Sequence, residues 1–132
     1  MTEEIKYSIT DAEWKVMKIL WLRDAYGVES QISLGTILDD LKPGITWKLN
    51  TVKTLLVRLA EKNIVNMEKI GQYYKYYAVV RESDCIIQET KSFVYKIFGG
   101  STYLMFSTLL KEGNLSEKEK QEILQLIKDM KE

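Results

Sequence analysis

The stretch TVKTLLVRLAEKNIVNMEKIGQYYKYYAVV, residues 51–80, decides the fold because it joins a helical pattern to a β-hairpin. Its first apolar residues recur at spacings of three and four, which predicts an amphipathic helix over about residues 48–62. These apolar residues are Val52, Leu55, Leu56 and Leu59. The YYKYY run that follows has strong strand propensity. Together with a Gly-containing turn at residues 70–72, it predicts a hairpin with strands at 65–69 and 73–79.

Two further helices are predicted before this stretch. Thr10 and Glu13 have capping-box spacing, and the apolar stripe after them predicts a helix over about residues 11–24. Residues 30–32 are expected to be extended, and Ser33 is a suitable cap for a second helix over about 34–42. Three helices followed by a hairpin are the element order of a winged helix-turn-helix, in which the third helix is the recognition helix and the hairpin is the wing.

Positive charge is concentrated in the recognition helix and the wing. The whole chain has 19 basic and 19 acidic residues, but residues 46–80 hold six Lys or Arg against two Asp or Glu. Short polar and basic side chains on the exposed side of the third helix suit the base edges of the major groove. They are Lys48, Asn50, Thr51, Lys53, Thr54 and Arg58, and on the wing Lys69 and Lys75 suit the phosphates. The alternative is that these charges mark an ordinary solvated surface and that the tyrosines pack against the first helix.

The chain changes character after residue 80, where we predict a boundary between domains 1–80 and 81–132. Three helices with wide apolar stripes are expected in the second domain, and about 50 residues bury such stripes poorly alone. We therefore expect two copies to pack together through Phe93, Val94, Ile97, Phe98, Leu124, Ile127 and Met130. Folding back onto the first domain is the alternative. The expected fold is mostly α with a small β-hairpin: an N-terminal winged helix-turn-helix plus a C-terminal three-helix dimerisation domain.

The residue counts exclude several classes of protein. The chain has no His and a single Cys, which rules out His-based catalysis, His-containing metal sites, internal disulfides and multi-Cys metal clusters. Without a phosphate loop or a carboxylate motif as well, we expect no enzyme activity, no metal and no cofactor. Cys85 is expected to be a small buried residue rather than a redox sensor.

The apolar runs of the sequence are short. None approaches the about 20 residues that a membrane-spanning helix needs, and the polar start MTEEIKYS is not a signal peptide. We therefore expect a cytoplasmic protein that is not inserted into a membrane.

Four stretches resemble the penicillinase-repressor, or BlaI/MecI, family of bacterial transcriptional repressors. They are ITDAEWKVMKILW (9–21), TVKTLLVRLAEKNIV (51–65), YYKYY (73–77) and KSFVYKIFGGS (91–101). The resemblance implies a homodimer that binds an inverted-repeat operator in double-stranded DNA and represses a β-lactamase or penicillin-binding protein gene. By position, it places the family's DNA-contacting segment on Trp47, Lys48, Asn50, Thr51, Lys53 and Thr54.

The resemblance also implies how repression ends, because a membrane sensor-protease system triggers cleavage of family members in the helix after the Gly-Gly pair. Well-known members are cut at an Asn-Phe bond, and aligned from Gly99-Gly100 this chain has Ser107-Thr108 in that place. The copper-responsive branch has a C-terminal cysteine pair that this chain lacks. Cleavage between Ser107 and Thr108, release by another inducing signal, and a winged-helix module that binds a protein instead of DNA stay open as alternatives.

Overall fold

A computed structural model describes residues 7–131, which form six α-helices and a small antiparallel sheet. The helices are α1 Asp11–Leu22, α2 Leu34–Leu41, α3 Leu49–Glu61, α4 Glu82–Phe98, α5 Thr102–Glu112 and α6 Glu117–Asp129. The strands are β1 Ile32–Ser33, β2 Val65–Ile70 and β3 Tyr73–Ala78. The described residues form two compact units, one up to residue 88 and one from residue 89, so α4 begins in the first unit and ends in the second.

Helix α1 begins with the predicted capping box. The backbone N–H of Glu13 donates to Thr10 Oγ1 at 3.2 Å, and the backbone N–H of Thr10 donates to Glu13 Oε1 at 2.9 Å. The Glu13 side chain is only 1% exposed, and Lys62 Nζ donates to its Oε1 at 2.6 Å. Lys62 also donates to the carbonyl of Ser8 at 2.7 Å. This pair therefore ties the start of α1 to the residue that follows α3.

The core of the first unit lies between its three helices and one face of the sheet. The predicted apolar stripe of α3 is buried, which confirms the helical periodicity of the sequence. Residues at spacings of three and four in α1, and Ile37 and Leu41 in α2, face the same core. The largest fully buried side chains of this core are Tyr76, Met17, Leu20, Ile37, Leu56, Leu59 and Ile64.

The sheet has the order β1-β3-β2, with β3 in the centre. The hairpin is confirmed, and the two residues of β1 add a third strand, in which Ile32 pairs with Tyr76. Since side chains alternate along a strand, Tyr76 and Ala78 point to the helices whereas Tyr77 points away from them. Tyr76 therefore packs into the core, as the alternative interpretation of YYKYY expected. Tyr73, at the turn, is 73% exposed.

Backbone and side-chain hydrogen bonds fix the segment between the sheet and α4. The Ala78 N–H donates to the carbonyl of Ala25 at 2.7 Å, and Trp21 Nε1 donates to the carbonyl of Val80 at 3.1 Å. Lys18 Nζ lies 2.6 Å from Glu82 Oε2 in the first turn of α4. Helix α1 therefore contacts the segment before α4 at Val80 and the first turn of α4 at Glu82.

The second unit has little core of its own among the residues described. Helices α5 and α6 contain no buried residue. Val94 of α4 is 8% exposed, and Phe93 and Phe98 pack edge to face with ring centroids 5.7 Å apart. Helix α4 ends where Gly99 and Gly100 adopt positive φ angles of 59° and 89°, which favour glycine. A capping box of Ser116 and Glu119 begins α6, as the spacing of these two residues in the sequence predicts.

Candidate nucleic-acid interface

One side of α3 carries the polar and basic residues that the sequence singled out. The helix begins at Leu49 after Lys48, and its apolar residues face the core. The structure leaves all six of the predicted positions exposed on the other side; they are Lys48, Asn50, Thr51, Lys53, Thr54 and Arg58. A helix with one buried apolar face and one face of short polar side chains has the form that enters a major groove.

Three of these residues carry a positive charge. Within residues 7–131, Lys48, Lys53 and Arg58 form no ion pair. Their charges are therefore available to an anionic partner such as a phosphate backbone.

Thr54 presents a defined set of groups to a partner. Its hydroxyl donates to the carbonyl of Asn50 at 2.9 Å, within the same helix. The oxygen lone pairs and the methyl group remain for outside contacts. These groups suit an amino group of a base edge and the methyl group of thymine, respectively.

Trp47 has a different environment from the polar residues of α3. Its ring is half-buried and packs against the core cluster. A contact from Trp47 to DNA would therefore involve only the part of the ring that stays accessible, while the buried part anchors the segment before α3.

The structure does not bring the two predicted wing lysines together. Lys69 pairs with Tyr74 near the turn, and Lys75 pairs with Glu68 on β2 and with Ser33 on β1. Alternation places Lys69 on the same face as Val65 and Lys75 on the opposite face. Lys69 is exposed, whereas Lys75 is half-buried in the central strand.

The wing turn has an apolar surface that the sequence analysis did not single out. Ile70 is 43% exposed and Tyr73 is 73% exposed, and the two residues are paired across the turn. The sequence feature that could have predicted this surface is the presence of large apolar residues beside a Gly-containing turn. Ile70 and Tyr73 form an exposed apolar surface at the wing turn, next to Lys69.

Other kinds of site find little support in residues 7–131. Over this range no group of three or more His, Cys, Asp or Glu side chains is placed to hold a metal ion. Cys85 is buried, as predicted. No helix within the same range has the length and apolar character that a membrane crossing requires.

Comparison with known proteins gives a consistent family. The penicillinase repressor family model matches residues 9–129. The penicillinase repressor of Bacillus licheniformis is 31% identical over 123 residues, which cover 93% of this chain and 91% of that protein. The methicillin resistance regulatory protein MecI of Mammaliicoccus sciuri is 27% identical over 121 residues, or 92% of this chain and 94% of that protein.

A solved structure supports the fold of the first unit. The solution structure of the DNA-binding domain of the repressor BlaI matches with a TM-score of 0.50 and 32% identity, over 63% of this chain and 93% of that chain. The winged-helix arrangement predicted from the sequence is thus confirmed by the structure and by this likeness. Because the family model spans both units and the relatives match over nearly their whole lengths, the chain belongs to the penicillinase repressor family.

Proposed function

We propose that this chain is a transcriptional repressor that binds an inverted-repeat operator as a homodimer and controls antibiotic-resistance genes. The observation that carries the proposal is the exposed basic and polar side of α3, whose cations form no ion pair within residues 7–131. Relatives named as a penicillinase repressor and a methicillin resistance regulator support the choice of genes. In this proposal the protein acts in the cytoplasm, on DNA, without a cofactor and without catalysing a reaction.

The DNA contact divides into two parts. Asn50, Thr51, Lys53 and Thr54 lie in the first turns of α3 and would read base edges, because a helix entering the groove N-terminus first brings these positions deepest. Lys48, Arg58 and the wing lysines would bind phosphates, which sets the orientation of the helix but carries no sequence information.

Asn50→Ala and Lys53→Ala are each expected to weaken operator binding by about 1–3 kcal/mol, with a smaller loss on random DNA. Lys69→Ala is expected to weaken binding to both DNAs and to lower the salt dependence by about one counterion. Lys75→Ala should act in the same direction with a smaller effect, because Lys75 is half-buried opposite Glu68. Fluorescence anisotropy at several salt concentrations measures these changes. Lys111→Ala, which removes the same charge from α5, is the control, and small equal losses for all variants on both DNAs would contradict the assignment.

The homodimer is proposed on the apolar surface of the second unit. A monomeric soluble protein rarely exposes large contiguous apolar patches, yet five of the predicted contact residues of α4 and α6 are exposed in the single chain: Phe93, Ile97, Leu124, Ile127 and Met130. A second copy of the chain has the same surface and would cover it in a two-fold arrangement. Among the predicted contact residues, Val94 is already buried in the single chain and adds least.

Release of the operator is proposed to follow cleavage in α5, triggered by a membrane sensor-protease system. Helix α5 has no buried residue, and its ends are marked by Gly100 and Gly113. The hydroxyls of Ser107 and Thr108 donate to the carbonyl of Leu104 at 3.1 and 2.7 Å, so both side chains on the proposed bond form hydrogen bonds within α5 itself. A segment with few buried contacts opens at low cost, which a protease requires.

Cells exposed to a β-lactam are expected to contain a fragment of this protein that ends at Ser107. Mass spectrometry of the tagged protein, before and after exposure, detects the fragment and its C-terminal residue. The matched control is the same culture without the drug, which should contain only the intact chain. Derepression with an intact mass throughout would show that another signal releases the protein from DNA.

A further inference from the structure

A cavity of about 740 Å³ lies beside the end of β3, away from the recognition helix. Its walls come from residues 26–27, from the end of β3 at residues 77–78, from Val79 and Arg81 in the connection after β3, and from the first turn of α4 at residues 82–83. All of these residues belong to the first unit, and none lies on α3. The volume is in the range of sites that bind small molecules, which is about 300–1,000 Å³. We call this cavity the Arg81 pocket.

The walls of the Arg81 pocket offer apolar and aromatic surface. Val79 and Tyr26 line it and are 53% and 36% exposed, so their apolar atoms meet solvent when the pocket is empty. Tyr77 also lines the pocket, and its Oη accepts a hydrogen bond from Asn66 Nδ2 at 2.8 Å. Because that bond uses the oxygen as acceptor, the hydroxyl proton of Tyr77 remains to be donated to a bound molecule.

The charge of the pocket favours an anion. Arg81 is exposed in the wall, and no carboxylate of residues 7–131 lies within ion-pair distance of it. The acidic residue of the wall is Glu82, whose carboxylate is paired with Lys18 at 2.6 Å. The wall therefore carries one uncompensated cation, and a guanidinium binds a carboxylate through two parallel hydrogen bonds.

We propose that the Arg81 pocket binds a small organic anion with a flat apolar body. Its acidic group lies on Arg81, its body packs between Tyr26, Tyr77 and Val79, and the Tyr77 hydroxyl donates to an oxygen of the anion. The bound molecule contacts Ser83 in the first turn of α4, and the same helix continues to Ile97 in the second unit. In this proposal the protein binds a small molecule at a site that is separate from the DNA-binding helix and from the proposed cleavage site.

The test is a titration of the full chain with naphthoate, followed through the backbone amide signals in NMR spectra. Naphthamide, which has the same ring and no charge, is the matched probe. Naphthoate is expected to give saturable shifts at Gly27, Val79 and Ser83, with an affinity at least about tenfold higher than that of naphthamide. Arg81→Gln should remove this difference between the probes, whereas Lys111→Gln, on α5, should preserve it.

A second variant tests the proposal independently, in case Arg81→Gln fails to fold. Ser83→Trp fills the pocket from an exposed position and should abolish binding of both probes, while the amide signals of α3 keep their wild-type positions. Equal affinity of the two probes for the wild-type protein, or shifts confined to α5 and α6, would overturn the proposal. The titration contains no DNA, so its outcome is independent of the proposed repressor function.

Discussion

Ile97→Asp is expected to convert the protein from a homodimer to a monomer and to lower its affinity for a complete operator at least about a hundredfold. Ile97 is 56% exposed in the single chain, so an aspartate there costs the folded monomer little. In the proposed dimer the same carboxylate would be buried without a partner, which costs several kcal/mol. Each half-site would then have to be bound independently. Light scattering gives the mass, and anisotropy on complete and half operators gives the affinities.

Ser92→Asp is the matched control for this experiment. Ser92 lies in α4 on the side away from Ile97, at ~100° per residue, and it is exposed. The variant should remain a dimer with wild-type affinity. A wild-type protein that scatters as a monomer at micromolar concentration would refute the proposed assembly.

Glu13→Ala is expected to lower the free energy of unfolding by about 2 kcal/mol, because it removes the buried partner of an ion pair with the more exposed Lys62, together with half of a capping box. Lys62 would lose its carboxylate partner but keep the carbonyl of Ser8. Urea denaturation of Glu13→Ala, Lys62→Ala and the double variant measures the coupling between the two side chains. Glu117→Ala, which breaks the exposed pair with Lys120, is the control and should change stability by less than about 1 kcal/mol.

The contribution of Glu13 is also expected to depend on pH. Burial alone would raise its pKa, but the hydrogen bonds from Lys62 and from the Thr10 N–H outweigh burial and hold the pKa below the ordinary value of 4.5. A carboxyl group with a lowered pKa stabilises the folded state above its unfolded-state pKa, and this stabilisation is lost as the pH falls through the folded-state pKa. The stability difference between the wild type and Glu13→Gln should therefore be full at neutral pH and shrink below pH 4.5. A constant difference down to acid pH would show that the charge of Glu13 contributes nothing.

Local patterns were sufficient to predict the helices and the hairpin, because the apolar stripe of α3 and the capping boxes of α1 and α6 are set by residues within a few positions of one another. The burial of Glu13 was not predictable in this way, since its partner Lys62 is 49 positions further along the chain. The strand β1 has only two residues, too few for a periodic signal. Its pairing with β3 depends on the tertiary fold.

In the candidate interface too, some features follow from residues that are close in the sequence, and others follow only from the tertiary fold. The exposed side of α3 follows from helical periodicity, which is a property of the helix alone. The opposite orientations of Lys69 and Lys75 depend on the exact register of the hairpin, and a shift of one residue would reverse them. The Arg81 pocket joins residues 26–27 to residues 77–83 and has no signal in either segment by itself.

The positions of the tryptophans give this protein two separate optical signals. The chain has three tryptophans. Trp14 and Trp21 lie in α1 with ring centroids 5.2 Å apart, so their coupled near-ultraviolet dichroism reports the packing of the first unit. Trp47 is half-buried immediately before the first turns of α3, which are proposed to face DNA, and its contribution to the emission is expected to change when a partner docks there. Core packing can thus be followed by near-ultraviolet dichroism, and docking at the start of α3 by the difference in emission between the wild type and Trp47→Phe, on unlabelled protein.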